Sequence, residues 1–175
     1  MEKFDDRVEE QRVIPLSKSK LMLAFLGSLA FVATGIWIVV ITEEIYITIV
    51  VCVVILFFGL CAVYCFFKLQ DNNPGLIISH SGVIDNSSGV AVGEIQWSDV
   101  IEMTVLEING QKMVCMIVHN PEQYIDRQKS FFRRFAMKQS LNMYGTPLII
   151  SSVSIKISFD ELLGVLNEYY MKSQV

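Results

Sequence analysis

The sequence predicts a membrane-embedded α-helical hairpin followed by an α+β domain. The first observation is a pair of apolar runs, residues 21–41 and 45–67, neither of which contains a charged residue. The second is a composition that is 53% hydrophobic and only 18% charged, whereas soluble domains have about 25% charged residues. The third is the pattern after residue 71, where short strand-like segments precede an amphipathic helix. The hydrophobic content excludes a disordered chain, and the net charge of −4 argues against a nucleic-acid binder.

The two apolar runs have the length of membrane spans. At about 1.5 Å per residue, the run 21–41 forms a helix of roughly 32 Å, which matches a hydrocarbon core of about 30 Å. A buried core helix is the alternative for either run, but two adjacent runs of this length favour insertion. A cleaved signal peptide is a further alternative for the first run. It is disfavoured because the preceding tail is long and acidic, with Glu2, Asp5, Asp6, Glu9 and Glu10.

The basic residues that flank the two runs predict the orientation of the hairpin. Arg12, Lys18 and Lys20 precede the first run and Lys68 follows the second. The connection 42–44 contains two Glu residues and no basic residue, so we expect both termini on the cytoplasmic side. The expected segments are a tail at residues 1–20, a two-span hairpin at residues 21–67 and a cytoplasmic domain at residues 71–175.

Small residues recur at helical spacing in both predicted spans, where they would let helix backbones approach closely in lipid. This pattern favours packing of the two spans against each other, and a homo-oligomeric interface is the alternative. Neither run contains an ionisable Asp, Glu, Lys, Arg or His, which argues against a proton relay, an ion carrier or a voltage sensor. The predicted packing residues are Ala24, Gly27, Ser28, Gly35, Cys52, Gly59 and Ala62.

The region after the spans predicts a compact α+β domain. Residues 71–75 have the composition of a linker, and Asn109-Gly110 predicts a tight hairpin turn because both residues accept positive φ. Ser158 and Glu161 have the spacing of a capping box, which predicts the start of a C-terminal helix. Strands are expected at residues 76–79, 83–85, 94–97, 100–108, 112–119 and 148–151, and helical structure at residues 121–143 and 160–170.

Two segments resemble those of a known family. Residues 95–100, Ile-Gln-Trp-Ser-Asp-Val, resemble a recurring segment of the bacterial pleckstrin-homology-like domain, and residues 144–150, Tyr-Gly-Thr-Pro-Leu-Ile-Ile, resemble a later segment of a two-span branch. The resemblance implies a PH-like half-open β-barrel with a C-terminal capping helix, in a small protein of the bacterial inner membrane. It implies no reaction. The helical segment 121–143 is an insertion relative to a minimal barrel of this kind.

The sequence contains no pattern that predicts catalysis, a metal site or a cofactor. The two histidines, His80 and His119, have no adjacent ligand set, and the four cysteines form no CxxC pair, so neither a zinc site nor a disulfide framework is predicted. Residues 85–94 are comparable to the phosphoinositide-binding loop of eukaryotic pleckstrin domains, but they include no basic residue. We therefore expect a chain that is not an enzyme and does not share that lipid specificity.

One cluster within the predicted helix 121–143 combines basic and aromatic side chains. Basic amphipathic helices that carry Phe can lie on anionic lipid, and a Phe pair can equally contact a protein partner. In the alternative, which the pattern favours, the Phe side packs on the domain while the basic residues face solvent. The candidate binding residues are Arg127, Lys129, Phe131, Phe132, Arg133, Arg134 and Lys138.

These patterns predict a non-enzymatic interaction module that is anchored in the membrane. Its partner would be another protein, a second copy of the chain or the anionic headgroups of the membrane surface. Confinement to the membrane plane would raise its effective concentration there. A defence or competition protein, either a toxin immunity protein or a membrane-disrupting effector, is the main alternative. An enzyme with a lipid substrate would need a polar constellation that the sequence does not supply.

Overall fold

The computed structural model describes residues 11–174, which form two units. One unit consists of residues 17–72, and the other combines residues 11–16 with residues 73–174. The first unit contains two α-helices and no strand. The second contains two β-sheets and three α-helices.

The helical unit is a pair of long apolar helices, α1 (Lys18–Ile41) and α2 (Ile45–Gln70). Their most apolar windows have mean hydropathies of 2.3 and 3.0, and only 11% of each window is buried. A core helix of a soluble protein would be mostly buried, so these helices expose the apolar surface that lipid would cover. The prediction of two helices long and apolar enough to span a membrane is confirmed.

Helix α2 ends where the chain becomes polar. Lys68 in its last turn donates a 2.9 Å hydrogen bond to the carboxylate of Asp71, and this ion pair is largely shielded from solvent. A cation in the last turn is favourable because the C-terminal end of a helix carries partial negative charge.

The first sheet of the second unit has four antiparallel strands in the order β1-β2-β3-β4. They are β1 (Arg12–Ile14), β2 (Leu76–Ile78), β3 (Gly82–Asp85) and β4 (Gly93–Gln96). Strand β1 precedes the two long helices and pairs with β2, which follows them, placing Ile14 opposite Leu76. The sequence patterns did not predict β1. The sheet therefore combines a strand that precedes the two long helices in the sequence with strands that follow them.

The second sheet has three antiparallel strands, β5 (Val100–Ile108), β6 (Gln111–Val118) and β7 (Leu148–Ser151). Asn109 and Gly110 have φ values of 51° and 77°, which confirms the predicted tight turn between β5 and β6. A register shift between Val100 and Glu102 marks a bulge at the start of β5. The strands form two separate antiparallel sheets that do not close into a barrel, so the α+β class is confirmed and the half-open barrel is not.

Three helices complete this unit: α3 (Pro121–Asp126), α4 (Phe131–Tyr144) and α5 (Phe159–Ser173). The segment 121–143, expected to be helical throughout, is thus interrupted between α3 and α4. Gln128 lies in this interruption and its side-chain amide donates to the carbonyl of Val92 at 3.0 Å. That bond ties the connection to a neighbouring loop, while Ser130 takes an extended conformation with ψ of 126° before α4 begins.

The core of this unit is packed beneath helix α5. Ser158 caps α5 as predicted, because its side-chain oxygen accepts from the backbone N–H of Glu161 at 3.3 Å. Leu162 and Leu166, four residues apart, are fully buried, and burial of each Leu side chain contributes about 1.5–3 kcal/mol. The other large, fully buried side chains are Trp97, Tyr124, Leu76, Ile78, Ile95, Met116, Ile125, Met137, Leu148, Ile150 and Ile155.

Candidate functional site

Helix α4 presents its Phe side to solvent. Phe131, Phe132 and Phe135 are 85%, 68% and 53% exposed, whereas Met137 on the other side of the helix is 2% exposed. The interpretation in which the Phe side packs on the domain is therefore wrong. The inward side of α4 is formed by Met137, with Leu141 one turn further along half-buried.

Arg133 fixes the first turn of α4 to the loop between β3 and β4. Its guanidinium Nε donates a 2.9 Å hydrogen bond to the backbone carbonyl of Gly89. Arg133 is half-buried, so this bond forms where solvent competes less for the carbonyl. The contact holds α4 in the orientation that leaves Phe131 and Phe135 outside the core.

The loop that receives Arg133 is itself ordered by a buried carboxylate. The side chain of Asp85 is 3% exposed and accepts the backbone N–H groups of Ser87 at 2.8 Å and Val92 at 3.4 Å. Ser154 also donates a hydrogen bond to the carbonyl of Ser87. Ordered in this way, the loop supports α4 through the bond from Arg133 to Gly89.

The five basic residues of the cluster lie in different environments. Arg133 is bound to the loop, Arg134 forms a 2.9 Å ion pair with Asp126, and the guanidinium of Arg127 lies 4.9 Å from the ring centre of Tyr124. Lys129 and Lys138 are exposed and have no ion pair with any other residue in the range 11–174. The charges best placed to meet a binding partner are therefore these two lysines.

The exposed aromatic and basic side chains meet in a shallow depression of about 400 Å³. Its lining residues, which we call the α4 face, are Lys129, Phe131, Arg134, Phe135 and Lys138. Residues 127–144 carry five of the 14 basic residues of the chain and none of its 18 acidic residues. The α4 face thus combines exposed apolar surface with positive charge on a chain whose net charge is negative.

A hydrogen bond between Tyr124 and Asp99 anchors helix α3, which precedes the cluster. The Tyr124 hydroxyl donates to the Asp99 carboxylate at 2.6 Å. Burial and this hydrogen bond raise the pKa of Tyr124 to about 12, because both disfavour the phenolate. Asp99 belongs to the short 3-10 helix Trp97–Asp99, within one of the segments that carry the family resemblance, but its pairing with Tyr124 had no signal in the sequence.

The two histidines of the chain line the same open depression of about 640 Å³. His80 and His119 are distant in the sequence, and their proximity depends on the turn after β2 and the end of β6. Polar lining is supplied by Glu94, Ser81 and others. Within residues 11–174 there is no group of three His, Cys, Asp or Glu side chains placed to hold a metal ion.

The cysteine in the β-sheet unit is a core residue. Cys115 is 2% exposed within β6, and burial raises the pKa of its thiol. A raised thiol pKa disfavours the reactive thiolate. Cys115 therefore behaves as a small apolar side chain in this sheet.

The small residues of the two long helices occupy different environments. Ser28, Gly35 and Ala62 are buried. A Cβ atom at Gly35 would lie 2.6 Å from the side chain of Ile55, so Gly35 lies where α1 and α2 approach closely. The other four candidate packing residues are not buried in this unit, namely Ala24, Gly27, Cys52 and Gly59.

Comparisons of the chain with protein-family models, with curated proteins and with solved structures find no significant match.

Proposed function

We propose that this protein is a non-enzymatic interaction module, anchored in the bacterial inner membrane by α1 and α2, that presents the α4 face to a binding partner. The observation that carries the proposal is the 85% exposure of Phe131 at the start of α4, beside Lys129 and Lys138, which form no ion pair within residues 11–174. Exposed aromatic residues that are surrounded by charged side chains mark interaction sites on protein surfaces. The function is therefore binding, with a protein or the membrane surface as the partner class.

The pairing of β1 with β2 supports the proposed topology. The chain leaves the four-stranded sheet after Ile14 and re-enters it at Leu76, so an inserted hairpin must begin and end on the same side of the membrane. The basic residues Lys18, Lys20 and Lys68 at the two ends favour the cytoplasmic side. We accordingly place both termini in the cytoplasm.

The finer fold assignment is also part of the proposal. We propose that residues 71–175 form a variant of the bacterial pleckstrin-homology-like domain, in which α5 is the capping helix. Support comes from the Ile95–Val100 segment, whose Trp97 is buried and donates from its indole N–H to the carbonyl of Ser79 at 2.8 Å. The alternative function in defence or competition stays a hypothesis that no described contact favours.

The experiment compares two double charge reversals in the full-length protein, extracted from its membrane in a mild detergent. Lys129→Glu with Lys138→Glu changes the α4 face, and Lys112→Glu with Lys156→Glu makes the same charge change at exposed positions outside it. We expect affinity capture to recover a specific ligand, identified by mass spectrometry as a protein or a co-purified lipid, with the native and control proteins only. Capture that is equal for all three proteins would show that the α4 face is not the binding surface.

A further inference from the structure

We infer that the occupant of the α4 face is the anionic headgroup layer of the membrane in which the chain is anchored. This inference rests on the proposed function and specifies its partner. This layer presents negatively charged phosphate groups, with the apolar acyl chains of the lipids beneath them. The α4 face offers complementary groups to both layers.

The charges of the α4 face select an anionic partner. Lys129, Arg134 and Lys138 surround the depression, and residues 127–144 contain no acidic residue. Arg134 already has Asp126 as a partner, which leaves the two lysines as the groups that can meet phosphate. A second copy of the same face would bring like charges together, so docking of two α4 faces on each other is disfavoured.

The Phe side chains supply the apolar contribution. Phe131 and Phe135 are one helical turn apart and lie on the same side of α4. Both Phe side chains are exposed and are surrounded by basic residues. Helices that lie at a bilayer interface have this arrangement, with aromatic side chains at the headgroup–acyl boundary and cations at the phosphates. Phe132 and Met143 on the same helix are also exposed, at 68% and 66%.

The covalent connections tether the unit that carries α4 to the apolar helices. The unit that carries α4 continues directly into the apolar helices at both connections, residues 16–17 and 72–73. Docking to the same membrane is therefore an intramolecular event with a high effective concentration, which allows a weak surface to be occupied. A small face of two free lysines and a few aromatic rings is sufficient under these conditions.

The test uses the full-length chain in lipid nanodiscs, with p-benzoylphenylalanine in place of Phe131. Discs contain either phosphatidylcholine alone or phosphatidylcholine with phosphatidylglycerol as the anionic lipid. After illumination, mass spectrometry measures the yield of lipid adducts. A matched probe in place of Met171, 66% exposed on α5, reports contact that does not involve the α4 face.

We expect adducts at position 131 in the anionic discs, with a yield about fivefold lower in discs without phosphatidylglycerol, because each lysine near an anionic surface contributes to binding. Lys129→Glu with Lys138→Glu should lower the yield in anionic discs to the same extent. The control pair Lys112→Glu with Lys156→Glu should leave it unchanged. The emission of the buried Trp97, measured with Trp37 replaced by Phe, verifies that each variant is folded.

Several results would overturn the inference. Equal adduct yields in both types of disc would show that headgroup charge is not recognised, and adducts at position 171 but not at 131 would assign lipid contact elsewhere. If lipid adducts are absent at 131 but affinity capture still finds a protein that requires Lys129 and Lys138, only the lipid assignment fails. If neither experiment depends on these lysines, the proposed function fails as well.

Discussion

The hydroxyl of Tyr124 donates a hydrogen bond of 2.6 Å to the carboxylate of Asp99. This bond joins α3 to the 3-10 helix that precedes β5. Replacing Tyr124 with Phe keeps the buried ring and removes only the hydroxyl. We expect Tyr124→Phe to lower the free energy of unfolding of the β-sheet unit by about 1.5–3 kcal/mol, the usual contribution of a hydrogen bond to a charged acceptor. Urea denaturation, followed through Trp97 fluorescence with Trp37 replaced by Phe, measures this change.

Burial of Tyr124, together with this hydrogen bond, makes the stability of the unit depend on pH. The pKa of Tyr124 is about 12 in the folded protein against an ordinary value of 10.0, so its contribution to stability is complete below pH 10. That contribution is lost as the pH rises from 10 to 12. Tyr124→Phe should therefore flatten the alkaline loss of stability over this interval. An unchanged slope in Tyr124→Phe would contradict the geometry.

Arg133 and Arg134 are adjacent in the sequence but have different structural roles. Arg133 bonds the Gly89 carbonyl from a half-buried position, and Arg134 pairs with Asp126 at the surface. We expect Arg133→Ala to cost about 1–2 kcal/mol of stability and Arg134→Ala to cost at most about 1 kcal/mol, because exposed ion pairs contribute little. The Trp97 denaturation experiment compares the two variants, and equal losses would contradict this assignment.

Gly35 and Gly27 provide a matched test of helix packing in the hairpin. A side chain at Gly35 would overlap Ile55, while a Cβ at Gly27 has nothing within 4 Å. We expect Gly35→Leu to weaken the contact between α1 and α2 by about 1–3 kcal/mol, as in other overpacked sites, and Gly27→Leu to leave it intact. The measurement is the rate at which a thiol-reactive dye labels the buried Cys65 in detergent.

For this measurement Cys52, Cys61 and Cys115 are replaced by Ala, so that the dye reports Cys65 alone. Labelling should be faster in Gly35→Leu than in the parent and unchanged in Gly27→Leu. Faster labelling in Gly27→Leu alone would place the contact surface on the side of α1 that carries Gly27 and not at Gly35.

Features determined by local sequence were predictable. The long helices follow from uncharged runs that no short strand could contain, and the Asn109-Gly110 turn follows from two residues that accept positive φ. The capping of α5 follows in the same way from Ser158. Each of these depends on residues within a few positions of one another, which is why sequence patterns suffice.

The remaining features depend on residues that are distant in the chain. Strand β1 has three residues, and nothing in Arg-Val-Ile indicates that its partner is β2, beyond both long helices. Helix α4 has two apolar sides, and either could have packed on the domain. One contains Phe131 and Phe135, and the other contains Met137. Tertiary contacts determine which side faces the core, namely the burial of Met137 and the bond from Arg133 to Gly89. Because these contacts are not visible in the sequence pattern, the pattern alone favoured the wrong side.

The pairing of β1 with β2 also sets an order of events during synthesis. Strand β1 leaves the ribosome early, but its partner is made only after α1 and α2, so residues 15–75 must all be translated before the sheet can close. Strand β1 therefore cannot pair with β2 while α1 and α2 are being translated. Insertion of only one helix would leave β1 and β2 in different compartments. If α1 and α2 span the membrane as proposed, the sheet can close only when both helices or neither helix has crossed the bilayer, so pairing of β1 with β2 excludes chains in which a single helix has crossed.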